Sequence, residues 1–597
     1  MYQTFDNPSN SNEINLRLTE LRKLLKKFSL NGFFIPRADI HQDEFIDEAD
    51  ARLHWISGFS GSAGLCLVLE KKAVIFTDNR YSIQVTKEVD THLIQPIITS
   101  RISVKDWLKK NCKNANLGFD PWLHTISEIN KLNDLAPYNL TLKSCENLID
   151  LIWTDRPKKS QKPIKPFSIH FSGVPSQDKK NNLIKTMQAS NVDFLILTKP
   201  ESINWLFNIR GSDIPHTPIV KSFAILRQNN LAALFTNSNE ISKTLRAHLG
   251  NSVNIENLNN FTIFLEGLTN LTVQIDPETC PQMIREVLAT HNTRIIEKPD
   301  PCIHSKAIKN ETEIKGCRDA HLIDGVAVVK FLFWLEKTKV KLNEILIIKK
   351  LEKFRRENQK LKDIAFDTIC GSGPNGAIIH YRVNHETNRK LMKNDLLLLD
   401  SGGQYEMGTT DVTRTIAIGT PSTEIRKVYT LILKGLISLS KLKWPEGLSG
   451  RDIDAFARSS LWNNGFDYDH GTGHGIGSYL SVHEGPHGIS RKNHVILKPG
   501  MLFSNEPGYY KQGEFGIRLE NILLIKKPVI PLDGDRQMLT TETLTLVPFD
   551  KKLIETKLLT CPEIDWINNY HEDIFRQLEP LIDIEIGTWL KEKCSPL

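Results

Sequence analysis

Glycine occupies every second position of His470-Gly-Thr-Gly-His474-Gly-Ile-Gly477, and no other stretch constrains the fold so tightly. Such spacing disfavours a helix and lets other backbone, or a ligand, come close to the two imidazoles. A histidine buried for packing rarely needs glycines on both sides, so this segment points to a site.

Carboxylates surround it in the sequence. Leu396-Leu-Leu-Leu399 reads as a buried strand that ends in Asp400-Ser-Gly-Gly, where turn residues release the chain. Gly408-Thr-Thr-Asp411-Val-Thr-Arg-Thr415 favours a second strand, so Asp400 and Asp411 are expected to converge across a hairpin. Met501-Leu-Phe-Ser-Asn-Glu506-Pro-Gly supplies a third acid. Phe515-Gly-Ile-Arg518-Leu-Glu520-Asn-Ile-Leu-Leu alternates, which puts Arg518 and Glu520 on one face and Ile517 and Leu519 on the other. Singly, each piece has an ordinary explanation as a turn, a loop or a solvated strand face. Together, Asp400, Asp411, His474, Glu506 and Glu520 offer four carboxylates and one imidazole, a set suited to two divalent ions. Manganese or cobalt fits this oxygen-rich set, zinc stays open, and magnesium alone suits the imidazole less well.

A chain of 597 residues exceeds what one hydrophobic core supports. Ile14, Leu18, Leu21, Leu25 and Phe28 form a helical stripe followed by the strand Gly32-Phe-Phe-Ile-Pro36, an α/β beginning. The pattern returns at Leu183–Met187 and Asp193–Thr198, and Trp55, Phe59, Gly61 and Ser62 correspond to Trp205, Ile209, Gly211 and Ser212. This offset signals an internal duplication. A proline-rich polar stretch, Thr154–Pro166, and Lys298-Pro-Asp-Pro301 mark boundaries. The expected units are 1–160 and 161–302, two related α/β domains, and 303–597, a larger catalytic domain that opens on the amphipathic helix of Ala320, Ile323, Ala327, Phe331 and Trp334.

A net charge of +6 without a long basic arm gives no reason to expect nucleic acid as a partner. No run of apolar residues is long enough to span a bilayer, and Met1–Glu13 lacks the grammar of a secretory leader, so no membrane partner and a cytoplasmic location are expected. Nine scattered cysteines with no C-x-x-C pair read as reduced and mostly buried.

The order Asp, Asp, His, Glu, Glu within these motifs resembles the pita-bread metallopeptidases, the group of methionine aminopeptidase, prolidase, creatinase and aminopeptidase P. Gly373-Pro-Asn-Gly-Ala-Ile-Ile-His380-Tyr, Asp400-Ser-Gly-Gly-Gln-Tyr and Val482-His-Glu-Gly-Pro486 narrow the likeness to the three-domain, cytosolic aminopeptidase P type. In the front domains, Trp153-Thr-Asp-Arg-Pro157 and Trp205-Leu-Phe-Asn-Ile-Arg-Gly-Ser-Asp213 carry it too, whereas Ala49-Asp-Ala-Arg-Leu-His-Trp55 keeps only part of the pattern.

The resemblance implies that Asp400, Asp411, His474, Glu506 and Glu520 ligate two ions, manganese foremost, with Asp411 and Glu520 bridging. It implies that His380, His470, His483 and Arg518 orient ligands or contact substrate, His483 near the scissile bond. The implied reaction is hydrolysis of the first peptide bond of short peptides with proline second, by a metal-bridging hydroxide, with Glu506 relaying a proton. A homodimer is implied as well, and Trp566, Tyr570 and Trp589 are aromatic residues that fit either an interior or an interface. Two other readings are a prolidase, which shares the metal set but takes Xaa-Pro dipeptides, and a pita-bread binding protein without activity.

Overall fold

The computed structural model describes residues 1–6, 13–159, 162–238 and 241–597. The chain separates into two compact units, Pro8–Ile303 and Met1–Asn7 with His304–Leu597. The boundary expected near residue 160 falls at residues outside those described.

In the front unit, helix α1 (Ile14–Lys27) buries Ile14, Leu18, Leu21 and Leu25 completely, as its periodicity requires. It feeds β1 (Gly32–Pro36), which is followed by β2 (Leu65–Leu69), β3 (Ala73–Thr77), β4 (Gln95–Ile98), β5 (Ala115–Phe119) and β6 (Leu140–Ser144). These form one sheet in the order β4-β3-β2-β1-β5-β6. Helix α2 (Ser176–Ala189) then leads into β7 (Phe194–Leu197), β8 (Ser222–Arg227), β9 (Ala232–Thr236), β10 (Val253–Asn257), β11 (Thr272–Ile275) and β12 (Arg294–Glu297). Their order is β10-β9-β8-β7-β11-β12, the same path through the sheet.

Strand directions repeat as well. The two hairpin pairings are antiparallel and the three outer ones parallel in each sheet. Trp55 and Trp205 lie on equivalent helices, Arg52–Ser57 and Pro200–Phe207, each between the first strand of its sheet and that strand's hairpin partner. Order, direction and motif placement agree, so the duplication read from a short pattern extends over both sheets.

The segment Trp153–Pro157 has a physical role in this unit. Trp153 stacks on Trp55 at 5.4 Å, and Arg156 pairs with Asp150 at 2.7 Å and Asp50 at 3.2 Å. Lys221, from the second sheet, reaches Asp39 of the first at 2.6 Å.

The second unit opens with α3 (Glu311–Lys337), started by an Asn310 capping box. Ala320, Ala327 and Phe331 are buried on it, whereas Ile323 and Trp334 are only half-buried. The stripe also carries a buried ion pair: Asp324 accepts two bonds from Arg355 at 2.8 and 3.0 Å and one from Tyr405. Periodicity places Asp324 on the apolar face, four residues after Ala320 and three before Ala327, but does not reveal Arg355 as its partner.

Strands β13 (Ile369–Ser372), β14 (Asp395–Ser401) and β15 (Val412–Ile418) make an antiparallel sheet. Helices α4 (Thr423–Ser440) and α5 (Gly450–Trp462) follow, and then β16 (Gly473–Gly475), β17 (Glu484–Ile489), β18 (Leu502–Asn505), β19 (Gly508–Lys511), β20 (Phe515–Arg518), β21 (Asn521–Ile525) and β22 (Thr541–Thr543). A five-stranded sheet runs β17-β16-β18-β21-β22, and β19 pairs with β20. Tyr429, Ile432, Leu433 and Leu436 of α4 share one core with Ile517 and Leu519, and this apolar layer backs the site. Tyr570 and Trp589, on helices α6 (Cys561–Leu578) and α7 (Ile584–Lys593), are buried in that core, and Trp566 stacks on Tyr570 at 5.2 Å.

The nine cysteines are free, and seven are buried. No helix among the described residues is long and apolar enough to cross a membrane.

Candidate metal centre

Asp400 and the start of β15 are neighbours through the antiparallel register Asp400↔Thr413 and Ser401↔Val412, which brings Asp411 beside the end of β14. The Phe515–Leu524 strand is two strands, because the chain changes partner at Leu519-Glu520: β20 pairs with β19 and β21 with β18. Alternation survives this break. Ile517 and Leu519 face the helical core, while Arg518 and Glu520 face the carboxylates.

Three of the four glycines of the histidine segment, Gly473, Gly475 and Gly477, are required by contact with neighbouring backbone. A Cβ at Gly473 would collide with the Ser504 carbonyl, one at Gly475 with the Glu484 carbonyl, and one at Gly477 would lie 2.7 Å from the Ser481 carbonyl oxygen. This packing brings β16 against its neighbours and carries His474 into the site.

Asp411, His474 and Glu520 offer ligand atoms that all lie within 4.8 Å of one another. His474 Nε2 is 3.5 Å from Asp411 Oδ2 and 3.6 Å from Glu506 Oε1. Its Nδ1 is 3.0 Å from the Gly475 carbonyl oxygen, which only accepts, so Nδ1 holds the proton and Nε2 presents a lone pair. Asp400 joins through Arg518, whose guanidinium lies 2.5 Å from its Oδ2.

The charge count favours cations. Four acidic side chains face one guanidinium, a deficit of three positive charges in an interior with little water to screen it. One divalent ion leaves the cluster negative, and two overcompensate by a single charge. Burial, followed by the charges of Glu520, Asp400 and Glu506, raises the Asp411 carboxyl well above its ordinary range. Burial likewise raises Glu520, and it lifts Glu506 to about 7 against the pull of Arg518. Asp400 Oδ1 and Asp411 Oδ1 are buried without a hydrogen-bond partner among the described residues, as expected of oxygens meant for a cation. The donor set therefore fits two oxygen-seeking divalent ions.

Arg518 is almost fully enclosed. Besides Asp400, it donates to Tyr510 Oη at 2.8 Å, Thr413 Oγ1 at 3.3 Å and the Ile379 carbonyl at 3.4 Å. The last contact places the backbone next to His380 against the site, and His380 itself is half-buried in the turn after Gly373–Ala377. His470 Nδ1 donates to the Gly471 carbonyl at 2.8 Å, and its Nε2 accepts from Tyr510 at 2.9 Å. Its Nδ1 also lies 3.9 Å from Glu506 Oε2. The His483 ring stands 4.4 Å from that of His474.

Three supporting residues escaped the reading of the sequence. Thr413 Oγ1 donates to Glu520 at 2.8 Å, Ser504 Oγ donates to Glu506 at 3.2 Å and accepts from the His474 amide at 2.9 Å, and Tyr510 links Arg518 to His470. Thr413 lies two residues after Asp411 and Ser504 two before Glu506. Extending the strand alternation from each acid would have named both.

Residues 315–527 match Metallopeptidase family M24, and residues 537–597 match the C-terminal region of peptidase M24. Residues 17–152 and 155–313 each match a Creatinase/Prolidase N-terminal domain. A probable Xaa-Pro aminopeptidase P of Laccaria bicolor is 37% identical over 602 residues, covering 97% of this chain and 93% of that protein. A relative of the same description in Talaromyces stipitatus is 36% identical over 605 residues, covering 97% and 92%. The crystal structure of X-prolyl aminopeptidase from Caenorhabditis elegans, described as a cytosolic enzyme with a di-nuclear active site, superposes with a TM-score of 0.93 at 31% identity, covering 98% of this chain and 100% of that one. A recombinant prolidase from Thermococcus sibiricus, with a TM-score of 0.51 and 25% identity, covers only 64% of this chain and 99% of its own. With two creatinase-type domains ahead of an M24 domain and full-length relatives above 30% identity, the chain belongs to the Xaa-Pro aminopeptidase P family of M24 metallopeptidases.

Proposed function

We propose that this protein is a metal-dependent aminopeptidase that cleaves the N-terminal Xaa-Pro bond of short peptides and releases the first residue. The observation that carries this reading is the convergence of carboxylates around His474 Nε2, in a chain whose full length, not only its last half, is similar to proteins described as Xaa-Pro aminopeptidases. Asp400, Asp411, His474, Glu506 and Glu520 would hold two divalent ions, with Asp411 and Glu520 shared, and manganese is the ion expected. Such ions supply Lewis-acid polarisation of the scissile carbonyl and a water of lowered pKa.

The protein's own groups do the rest. Glu506 accepts a proton on the side facing His474 and returns it to the leaving nitrogen. His483 donates a hydrogen bond to the substrate near the scissile bond, and His380 contacts substrate or orients a ligand. Arg518 holds Asp400 in place through its hydrogen bond to Oδ2. His470, tied to Tyr510 and Gly471, steadies the far edge of Glu506. A proline leaving group presents a tertiary amide without N–H, so its pocket selects ring shape.

Domain boundaries near residues 160 and 303, a cytoplasmic location like that described for the Caenorhabditis elegans enzyme, and a homodimer measurable by light scattering belong to the same reading. The prolidase alternative is disfavoured because the Thermococcus sibiricus enzyme is similar to only 64% of this chain. The non-catalytic alternative is disfavoured because each expected donor residue is present in the sequence.

With manganese restored to metal-free protein, arginine is expected to be released from Arg-Pro-Pro roughly 10- to 200-fold faster than from Arg-Ala-Ala, the range a shape-selective pocket gives. Cleavage of Arg-Pro alone would favour prolidase, and no cleavage with any divalent metal would favour a binding protein.

A further inference from the structure

Three ionised side chains are buried together beside the proposed substrate histidine. Glu484 is clamped between Lys309 Nζ, on its Oε1, and Lys306 Nζ, 3.3 Å from its Oε2, and the three side chains are 1%, 1% and 4% exposed in that order. Burying such a group is no efficient route to stability, because a well-packed apolar replacement is often as stable or more so. Their placement suggests a different use. Glu484 pairs with Gly475 across β17 and β16, next to His474, and the residue before it is His483.

Both lysines also tie down backbone. Lys306 Nζ donates to the Gly485 carbonyl at 3.4 Å, Lys309 Nζ donates to the Lys306 carbonyl at 2.8 Å, and the Lys309 amide donates to the Gly500 carbonyl at 3.0 Å. At the other end of the loop, Gln404 Nε2 donates to the Leu480 carbonyl at 2.9 Å, and the Gly477 amide donates to the Ser481 carbonyl at 3.0 Å. His483 stands between these two anchorages. His487, further along β17, is held neutral by burial, so it does not serve as a third counter-ion to Glu484.

We propose that Glu484, held by Lys306 and Lys309, is a positioning residue that fixes His483 against the substrate side of His474. This rests on the reading of His483 as a substrate contact. Glu484 acts through that ring and touches neither substrate nor metal. Losing the clamp therefore costs turnover only while His483 has a task to perform.

The test is a double-mutant cycle on the full chain loaded with manganese, with arginine release from Arg-Pro-Pro as the readout and bound metal measured in every variant. Glu484→Gln is expected to lower kcat about 10- to 100-fold with bound metal unchanged, the usual cost of removing an orienting partner. In a His483→Ala background, the same change should lower kcat by less than about 3-fold, because coupled residues do not add. Equal losses in both backgrounds would overturn the proposal by showing a general structural effect, and so would an unchanged kcat in Glu484→Gln. Normal turnover in His483→Ala alone would instead remove the reading of His483, and the proposal with it. Should Glu484→Gln fail to fold, Lys306→Met leaves the neutral Glu484–Lys309 pair in place and gives the same cycle with the same deciding outcomes.

Discussion

Glu506→Gln lowers kcat for Arg-Pro-Pro by about 10²- to 10⁴-fold, the range for loss of a general acid–base group, while the protein keeps its fold. The side chain lies 3.6 Å from His474 Nε2 and 3.9 Å from His470 Nδ1, and it accepts from Ser504 at 3.2 Å. Glutamine preserves size and can still accept from Ser504, so packing changes little. It cannot take up and return a proton. Burial, and after it the charge of Asp400, already raise the affinity of this carboxyl for a proton, to a pKa of about 7 in the absence of cations. Near-wild-type kcat in a variant with unchanged circular dichroism would refute the relay.

His474→Ala is expected to weaken divalent-metal binding by at least about 100-fold, because loss of a ligand exceeds the 10- to 100-fold cost typical of its supporting partners. The four acids remain in the variant, so its metal content, measured after gel filtration, isolates the imidazole. Unchanged content would refute its role.

The same acids predict a pH effect in the parent protein. Asp411, Glu520 and Glu506 have raised pKa values, so the folded metal-free protein binds more protons than the unfolded chain between the ordinary carboxylate range and the folded value, about 7 for Glu506. The contribution of these three acids to metal-free stability is therefore greatest in acid and declines as pH rises through that window. Manganese displaces those protons, so its affinity and its stabilising effect grow over the same window. Thermal unfolding with and without manganese at about pH 5 and about pH 8 measures both trends, and equal manganese effects at the two values would contradict them.

Much of this was legible in the sequence because two periodicities carry it. The period of two placed Arg518 and Glu520 on one face even though the strand is broken at Leu519-Glu520, since alternation depends on the backbone and not on the pairing partner. The alternating glycines of residues 470–477 announced close packing, and the structure names what presses on them: the carbonyls of Ser504, Glu484 and Ser481. The helical stripe of α1 was similarly direct, because Ile14, Leu18, Leu21 and Leu25, the residues at helical spacing, are the ones it buries.

What stayed hidden were contacts between residues far apart in sequence. Asp324 and Arg355 sit on separate helices, and Lys309 and Glu484 are 175 positions apart, so no local pattern pairs them. Tyr510 was hidden for a related reason. In the sequence it is one of two adjacent tyrosines after Glu506-Pro-Gly, and only the β19–β20 pairing brings its hydroxyl between Arg518 and His470.

The most direct measurement is a manganese titration of metal-free protein that follows arginine release from Arg-Pro-Pro together with bound metal. The carboxylate count around His474 predicts negligible activity before addition, recovery on loading, and saturation at two ions per chain. Full turnover after exhaustive chelation, or two bound ions with no cleavage, would contradict it.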